Sequence, residues 1–269
     1  MQNNEKLVIK DLTLIFNKGT VNEKGALNSL NLTINDGDFI TVIGGNGAGK
    51  STLMNAITGV YAPTSGEVIL DGEKIDHLKE HKRAKYFGRV FQDPMMGTAA
   101  DMQIDENLAL AKRRGKFRGL SWGVTKAERE EYRELLKILG LGLENRLTSK
   151  VGLLSGGQRQ ALTLLMASLV KPKMLLLDEH TAALDPKTAA KVLEITENIV
   201  KENKLTTLMI THNMRDAIKY GNRLIMLHEG RVIIDVCGEE KTKLTVEDLL
   251  EMFSRASGNE FSNDRAMLS

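Results

Sequence analysis

The run Gly44-Gly45-Asn46-Gly47-Ala48-Gly49-Lys50-Ser51, continued by Thr52, carries the spacing of a phosphate-binding loop: glycine, any four residues, glycine, lysine, then serine or threonine. Its glycines let backbone N–H groups converge on phosphate oxygens with no Cβ in the way, and a helix opening at Lys50 brings its positive end to the same point. Lys50 is placed to reach the β- and γ-phosphates of a nucleoside triphosphate, and the Ser51 hydroxyl to ligate Mg²⁺. A glycine-rich turn without a ligand is the competing reading, and the position of the loop between an apolar strand and a helical segment argues against it. A second piece of the same chemistry is Met174-Leu175-Leu176-Leu177-Asp178-Glu179, an apolar strand ending in two carboxylates. A buried strand delivers its last residues rigidly to the edge of a sheet where phosphate loops also open. Asp178 is suited to the Mg²⁺ shell, and Glu179, next along and pointing elsewhere, to polarising an attacking water as general base. Adjacent acids after a strand also cap helices; their company with a phosphate loop favours the chemical role.

These groups need elements to hold them. Leu7 to Phe16 and Ala26 to Ile34 alternate aliphatic and polar residues around a break at Asn17-Lys18-Gly19, which predicts two antiparallel strands at a β-rich edge. Phe39 to Ile43 is a compact apolar strand leading into the glycine loop, and Lys50 to Ile57 has helical spacing. Further strands are expected at Glu67 to Leu70, closed by Asp71-Gly72, and at Lys85 to Val90. From Ile104 the pattern turns helical: Ile104 to Lys112, then Lys126 to Leu139 with Leu135, Leu136 and Leu139 on one face, then a start at Ser155. This predicts a helical subdomain inserted at about 93–153. Met174 to Leu177 and Thr206 to Ile210 read as buried strands around the helical stretch Lys187 to Asn203, the alternation of a parallel α/β sheet. Leu224 to Leu227 and Val232 to Val236 flank Glu229-Gly230 as a hairpin, and the polar residues 257–269 form a tail beyond a domain spanning 1–256.

Between insert and strand lies Leu154-Ser155-Gly156-Gly157-Gln158-Arg159-Gln160, a hydroxyl and two glycines at the start of a helix, which alone is either a second anion site or a common helix cap. Taken with Gly44 to Thr52 and Asp178-Glu179, in this order, the chain resembles the ABC ATPase family, whose signature is Leu-Ser-Gly-Gly-Gln, over nearly its whole length. The resemblance implies an α/β phosphate-loop NTPase core with a mainly parallel sheet, an antiparallel β subdomain and an inserted helical subdomain. It implies that two copies sandwich two ATP molecules head to tail, so that Ser155, Gly156, Gly157 and Gln158 of one copy meet the nucleotide held by the other. Gln92 looks like the glutamine that contacts Mg²⁺ and the attacking water. His212, after Leu208-Met209-Ile210-Thr211, resembles the histidine that contacts the γ-phosphate, where its accessible charge change suits sensing phosphate. Asp185 matches the loop that packs across the dimer and is equally a helix N-cap before Pro186. Phe16 lies where an aromatic stacks on adenine; a strand aromatic facing the core is the alternative. Two departures stand out: His180 where a proline commonly follows the glutamate, and Met166 where an arginine is common.

Composition narrows the class. The chain of 269 residues is 42% hydrophobic and 27% charged, near soluble-globular averages, and its net charge of +2 is too small for a duplex-binding face, so no nucleic-acid partner is expected. A single cysteine, Cys237, forms no internal disulfide, residues 1–10 lack signal-peptide character, and no run approaches the roughly 20 apolar residues of a membrane span. A cytoplasmic protein on the inner face of the membrane is expected, reaching it through a permease. Lys112 to Arg118 is a basic run read as a solvated loop, with anionic lipid or a membrane partner the other option; His77, His81 and Cys237 have no ligand-like company. The resemblance implies a transporter motor, coupling ATP hydrolysis to import of an amino acid or other small solute, with an extracytoplasmic solute-binding protein as a further partner. Its rivals are a lipid or lipoprotein exporter cassette, a family member acting on DNA or the ribosome, which would carry a long coiled coil or a second cassette, and a binding module with dead chemistry, against which Lys50, Asp178, Glu179 and His212 argue.

Overall fold

Alternation of aliphatic and polar residues from Leu7 onward produces β1 (Glu5–Phe16), in which Leu7, Ile9, Leu12 and Leu14 turn inward. β2 (Lys24–Asn35) lies antiparallel to it in the register Leu7↔Ile34 and Ile9↔Leu32. A computed structural model describes residues 4–116 and 123–256, and the chain divides into two units, Met1–Ala84 with Leu205–Ser269, and Lys85–Lys204. In the first, β3 (Phe39–Ile43) is buried along its whole length and is followed by α1 (Lys50–Thr58), β4 (Ser65–Leu70), β5 (Glu73–Lys74) and the short α2 (Glu80–Arg83). The order β2-β1-β4-β5 makes the antiparallel edge foreseen from the alternation.

The second unit contains β6 (Phe87–Val90), α3 (Ile104–Lys112), α4 (Lys126–Lys137), α5 (Gly156–Leu169), β7 (Met174–Asp178) and α6 (Pro186–Asn203). β6 and β7 run parallel, with Arg89↔Leu176 and Val90↔Leu177 opposed. α3 and α4 fall within the interval 93–153, where an insert was expected, and the unit also takes in the strands and helices on either side. α4 opens with a reciprocal cap between Thr125 and Glu128. It stops at Lys137 rather than running to Leu139, because Gly140 and Gly142 turn the chain in the left-handed region, while Leu139 stays buried. The described part of the basic run is engaged within the unit: Lys112 pairs with Glu131, Arg113 with Glu128 at 2.9 Å, and Arg114 donates to the carbonyls of Phe87, Ala167 and Val170. Phe117 and Arg118, like the polar tail 257–269, lie outside the described residues.

Returning to the first unit, the chain forms β8 (Thr207–Ile210), α7 (Met214–Lys219), β9 (Arg223–His228), β10 (Arg231–Cys237), α8 (Gly238–Lys243) and α9 (Val246–Ala256). β3 pairs parallel with both β8 and β9, and β10 returns antiparallel through Glu229-Gly230, whose φ of 46° and 73° give the twist of a tight hairpin. Helices α7 to α9 were not expected. α7 and α8 are too short to show a period, and the stripe of α9, Leu249 and Phe253, becomes legible only where it closes a core of Met214, Leu224, Met226, Ile234 and Val236.

Candidate nucleotide site

In the first unit the phosphate loop leaves the fully buried end of β3. Gly44 has φ 148°, and a Cβ there would lie 2.3 Å from the carbonyl oxygen of Leu227, so only glycine fits between loop and β9. The loop is tied at several points: Ala48 N–H donates to Gly45 at 3.2 Å, and Gly230 N–H to Ala48 at 3.0 Å. Gly49 occupies the N-cap of α1 with φ 102°, and among the described residues no side chain caps that end, leaving the first amides of the helix to a ligand. The Lys50 ammonium is buried and folded over the loop, donating to Gly44 O at 2.7 Å and Gly45 O at 3.1 Å. Ser51 and Thr52 follow on the first turn, Ser51 exposed, and Asn46 and Gly47 form the exposed crest. Phe16, at the end of β1, is half-buried and meets Tyr61 edge to face, ring centroids 5.1 Å apart at 85°. His212 sits just past β8 in a turn braced on both sides, by Thr211 N–H on Val42 O and by Asn213 Oδ1, which caps α7.

In the second unit β7 delivers Asp178 and Glu179 to its end. Asp178 Oδ2 is 3.4 Å from the Arg89 guanidinium on the neighbouring strand, and Arg89 in turn lies over the ring of Phe91, 4.6 Å from its centroid. Gln92 follows Phe91 and is exposed, and Gln160 of α5 pins that point by donating to Phe91 O at 3.0 Å. Glu179 has φ 47°, a left-handed backbone uncommon for a residue with a side chain. The signature begins α5: Ser155 is its N-cap, accepting from Gln158 N–H at 3.3 Å, while the Gln158 side chain accepts from Ser155 N–H at 3.2 Å. Ser155 and Gly156 are exposed. Gly157 is buried because α5 packs on α6; a Cβ there would stand 2.1 Å from Thr188 Cγ2. Asp185 accepts from Thr188 N–H at 3.1 Å as the N-cap before Pro186, and those hydrogen bonds hold its carboxyl below the usual range.

The first unit thus carries Gly44 to Thr52, Phe16 and His212, and the second Asp178, Glu179, Gln92, Asp185 and Ser155 to Gln158. Some participants carried no sequence signal. Arg89 reads as one polar residue in a short strand, and only the pairing of β6 with β7 puts it beside Asp178. Tyr61 lies far along the chain from Phe16. His180, flagged only as a departure, is buried, its Nε2 3.1 Å from Thr196 Oγ1 on α6; burial pushes its imidazole down to about 4.

Comparison with known proteins gives this arrangement its context. A family model described as ABC transporter matches residues 27–182, and a tyrosine transport ATP-binding protein of Clostridioides difficile (strain R20291) is 48% identical over 250 residues, 93% of this chain and 99% of that protein. The chain belongs to the ABC transporter family of ATP-binding proteins. This ABC protein is also 33% identical to an energy-coupling factor transporter ATP-binding protein of Acetivibrio thermocellus, over 93% of this chain and 85% of that one. Among solved structures, the dimeric ATP-binding cassette MJ0796, in a post-hydrolysis state bound to ADP and phosphate, superposes with a TM-score of 0.73 at 31% identity, covering 86% of this chain and 98% of that one. The cassette described above is therefore an ATPase, the ATP-binding and ATP-hydrolysing subunit of an ABC transporter that couples hydrolysis to transport. No described helix is long and apolar enough to cross a membrane.

Proposed function

We propose that this subunit drives import of an amino acid or similar small solute, with each ATP held by the phosphate loop of one copy and the signature of a second. Backbone amides of Gly45 to Gly49, with Ala48 among them, and the N-terminal end of α1 cradle the phosphates, and Lys50 swings its ammonium from the loop carbonyls to the β- and γ-oxygens. Phe16 stacks on the adenine. Ser155, Gly156, Gly157 and Gln158 of the partner copy close over the γ-phosphate, with Asp185 at that junction. Glu179 takes a proton from the attacking water while Gln92 and His212 orient water and phosphate.

Ser51, Gln92 and Asp178 offer hydroxyl, amide and carboxylate oxygens, the donor set that suits Mg²⁺, and Asp178 already faces a cation in Arg89. When bound there, Mg²⁺ would neutralise charge developing on the phosphate oxygens. Release of phosphate weakens the grip between copies, and their separation is passed to permease subunits on the inner face of the cell membrane. An extracytoplasmic solute-binding protein would select the cargo; amino-acid import is favoured by the tyrosine-transport relative.

The observation that carries this reading is the tied phosphate loop with buried Lys50 lying across it. Phosphate release from purified protein tests it, with Glu179→Gln as control. The wild type turns over, and the variant loses at least about 100-fold in kcat while accumulating as an ATP-bound dimer in size-exclusion chromatography. Equal release by both, or a variant that stays monomeric in ATP, refutes it. Labelled tyrosine uptake in cells lacking the subunit tests the cargo class.

A further inference from the structure

His180 stands directly after the proposed general base, where the family commonly has proline, and the functional reading above assigns it nothing. Its environment is specific. The ring is buried at 2% exposure, and its Nε2 lies 3.1 Å from Thr196 Oγ1, in the middle of α6. The Thr196 hydroxyl donates its own proton to Val192 O at 2.8 Å. With that hydroxyl hydrogen on Val192 O, Thr196 Oγ1 accepts from His180, which puts a proton on Nε2. The chain His180 Nε2–H to Thr196 Oγ1–H to Val192 carbonyl runs in one direction and ends on the backbone of a helix.

On the other side of His180 the backbone is under load. Glu179 holds φ 47°, a conformation that costs a residue with a Cβ free energy and persists only where neighbours impose it. Before it, β7 is locked in the sheet through Leu177, opposite Val90; after it, Ala182 N–H closes a turn onto Glu179 O at 3.0 Å. A proline would restrict this segment through its ring, by fixing φ. Here the restriction comes from a side chain anchored nearly three turns into α6, a helix whose start is set by Asp185 and Pro186.

We infer that His180 is a positioning residue for hydrolysis: its hydrogen bond to Thr196 holds Glu179 in the left-handed conformation that aims the carboxylate at the attacking water. It is buried at 2% exposure and acts through Glu179. The inference rests on Glu179 being the base. A base displaced by a fraction of an ångström loses rate without losing substrate, so the signature is a fall in kcat with little change in KM for ATP.

Thr196→Val tests this, since it keeps the shape of the side chain and removes the hydroxyl, and with it both the acceptor for His180 and the bond to Val192 O. We expect kcat to fall about tenfold, KM for ATP to stay within about twofold, and ATP-dependent dimer formation to persist. His180→Leu should do the same, and Thr196→Val combined with it should add nothing further. His180→Gln, whose amide nitrogen reaches the place of Nε2, should recover most of the rate. If Thr196→Val turns over at the wild-type rate, or if His180→Gln is as slow as His180→Leu while folded and binding ATP, the inference is overturned. Glu179→Gln separates the two levels: if it still hydrolyses ATP, the base assignment fails, whereas an inactive Glu179→Gln beside a fully active Thr196→Val condemns the role of His180 alone.

Discussion

Replacing Gly44 by alanine asks how far the phosphate loop depends on its fit against β9. Two costs arise together. The backbone at φ 148° is one that residues with a Cβ rarely adopt, worth about 1–3 kcal/mol. The new methyl would stand 2.3 Å from Leu227 O and 3.1 Å from Ala48 Cβ, so loop and strand must part by roughly 0.7 Å, at an overpacking cost of about 1–3 kcal/mol. Leu227 is buried in β9 opposite Val232 and cannot retreat without breaking its pairing with β10, so the loop moves. Gly47→Ala is the matched control, because its φ of 82° is also left-handed but a Cβ there meets nothing within 4 Å. It should cost only about 1–2 kcal/mol. Thermal unfolding and ATP titration calorimetry read both effects. Gly44→Ala should lower Tm by about 5–15 °C, at roughly 2–4 °C per kcal/mol, and weaken ATP binding by more than about tenfold through misplaced amides; Gly47→Ala should do markedly less on both counts. If the two variants behave alike, or if Gly44→Ala binds ATP as the wild type does, the loop is not set by its contact with β9.

Two further outcomes follow from packing and charge, alongside the Glu179→Gln and Thr196→Val experiments. Gly157→Ala forces a methyl to within 2.1 Å of Thr188 Cγ2 and should cost about 1–3 kcal/mol by overpacking α5 on α6, while leaving nucleotide binding by the isolated monomer intact; calorimetry with and without ATP would show the two effects part company. Lys241 is buried with its ammonium on the carbonyls of Tyr220 and Gly221, and burial pushes it down to about 8 from 10.5. Its unfolded form therefore binds more protons between those values, and stability rises with pH across that window. Relative to Lys241→Met, the wild type should gain about 2 kcal/mol between pH 7.5 and pH 10, seen as a narrowing or reversal of the Tm difference; parallel curves would refute it.

Much of this was readable in the chain. The phosphate loop, β3, α1 and β7 were located nearly to the residue because glycine spacing and unbroken apolar runs are local signals. Asp185 was read two ways from sequence, and its cap on Thr188 bears out one of them. What escaped detection depended on partners distant in the chain. Arg89 meets Asp178 only through strand pairing, Tyr61 meets Phe16 only through folding, and Gly157 owes its identity partly to Thr188 rather than to an anion. The C-terminal helices went unforeseen because six residues give no period, and the stripe on α9 means little until β9 and β10 lie beneath it.

The phosphate loop is held by the folded chain itself, against Leu227, through Gly230 and at the start of α1. Its amides have little conformational freedom left to surrender, so the entropy that a slack loop would lose on capturing triphosphate was already given up when the chain folded. Under the proposed function, little of the attraction between amides and phosphate is then spent on ordering the loop.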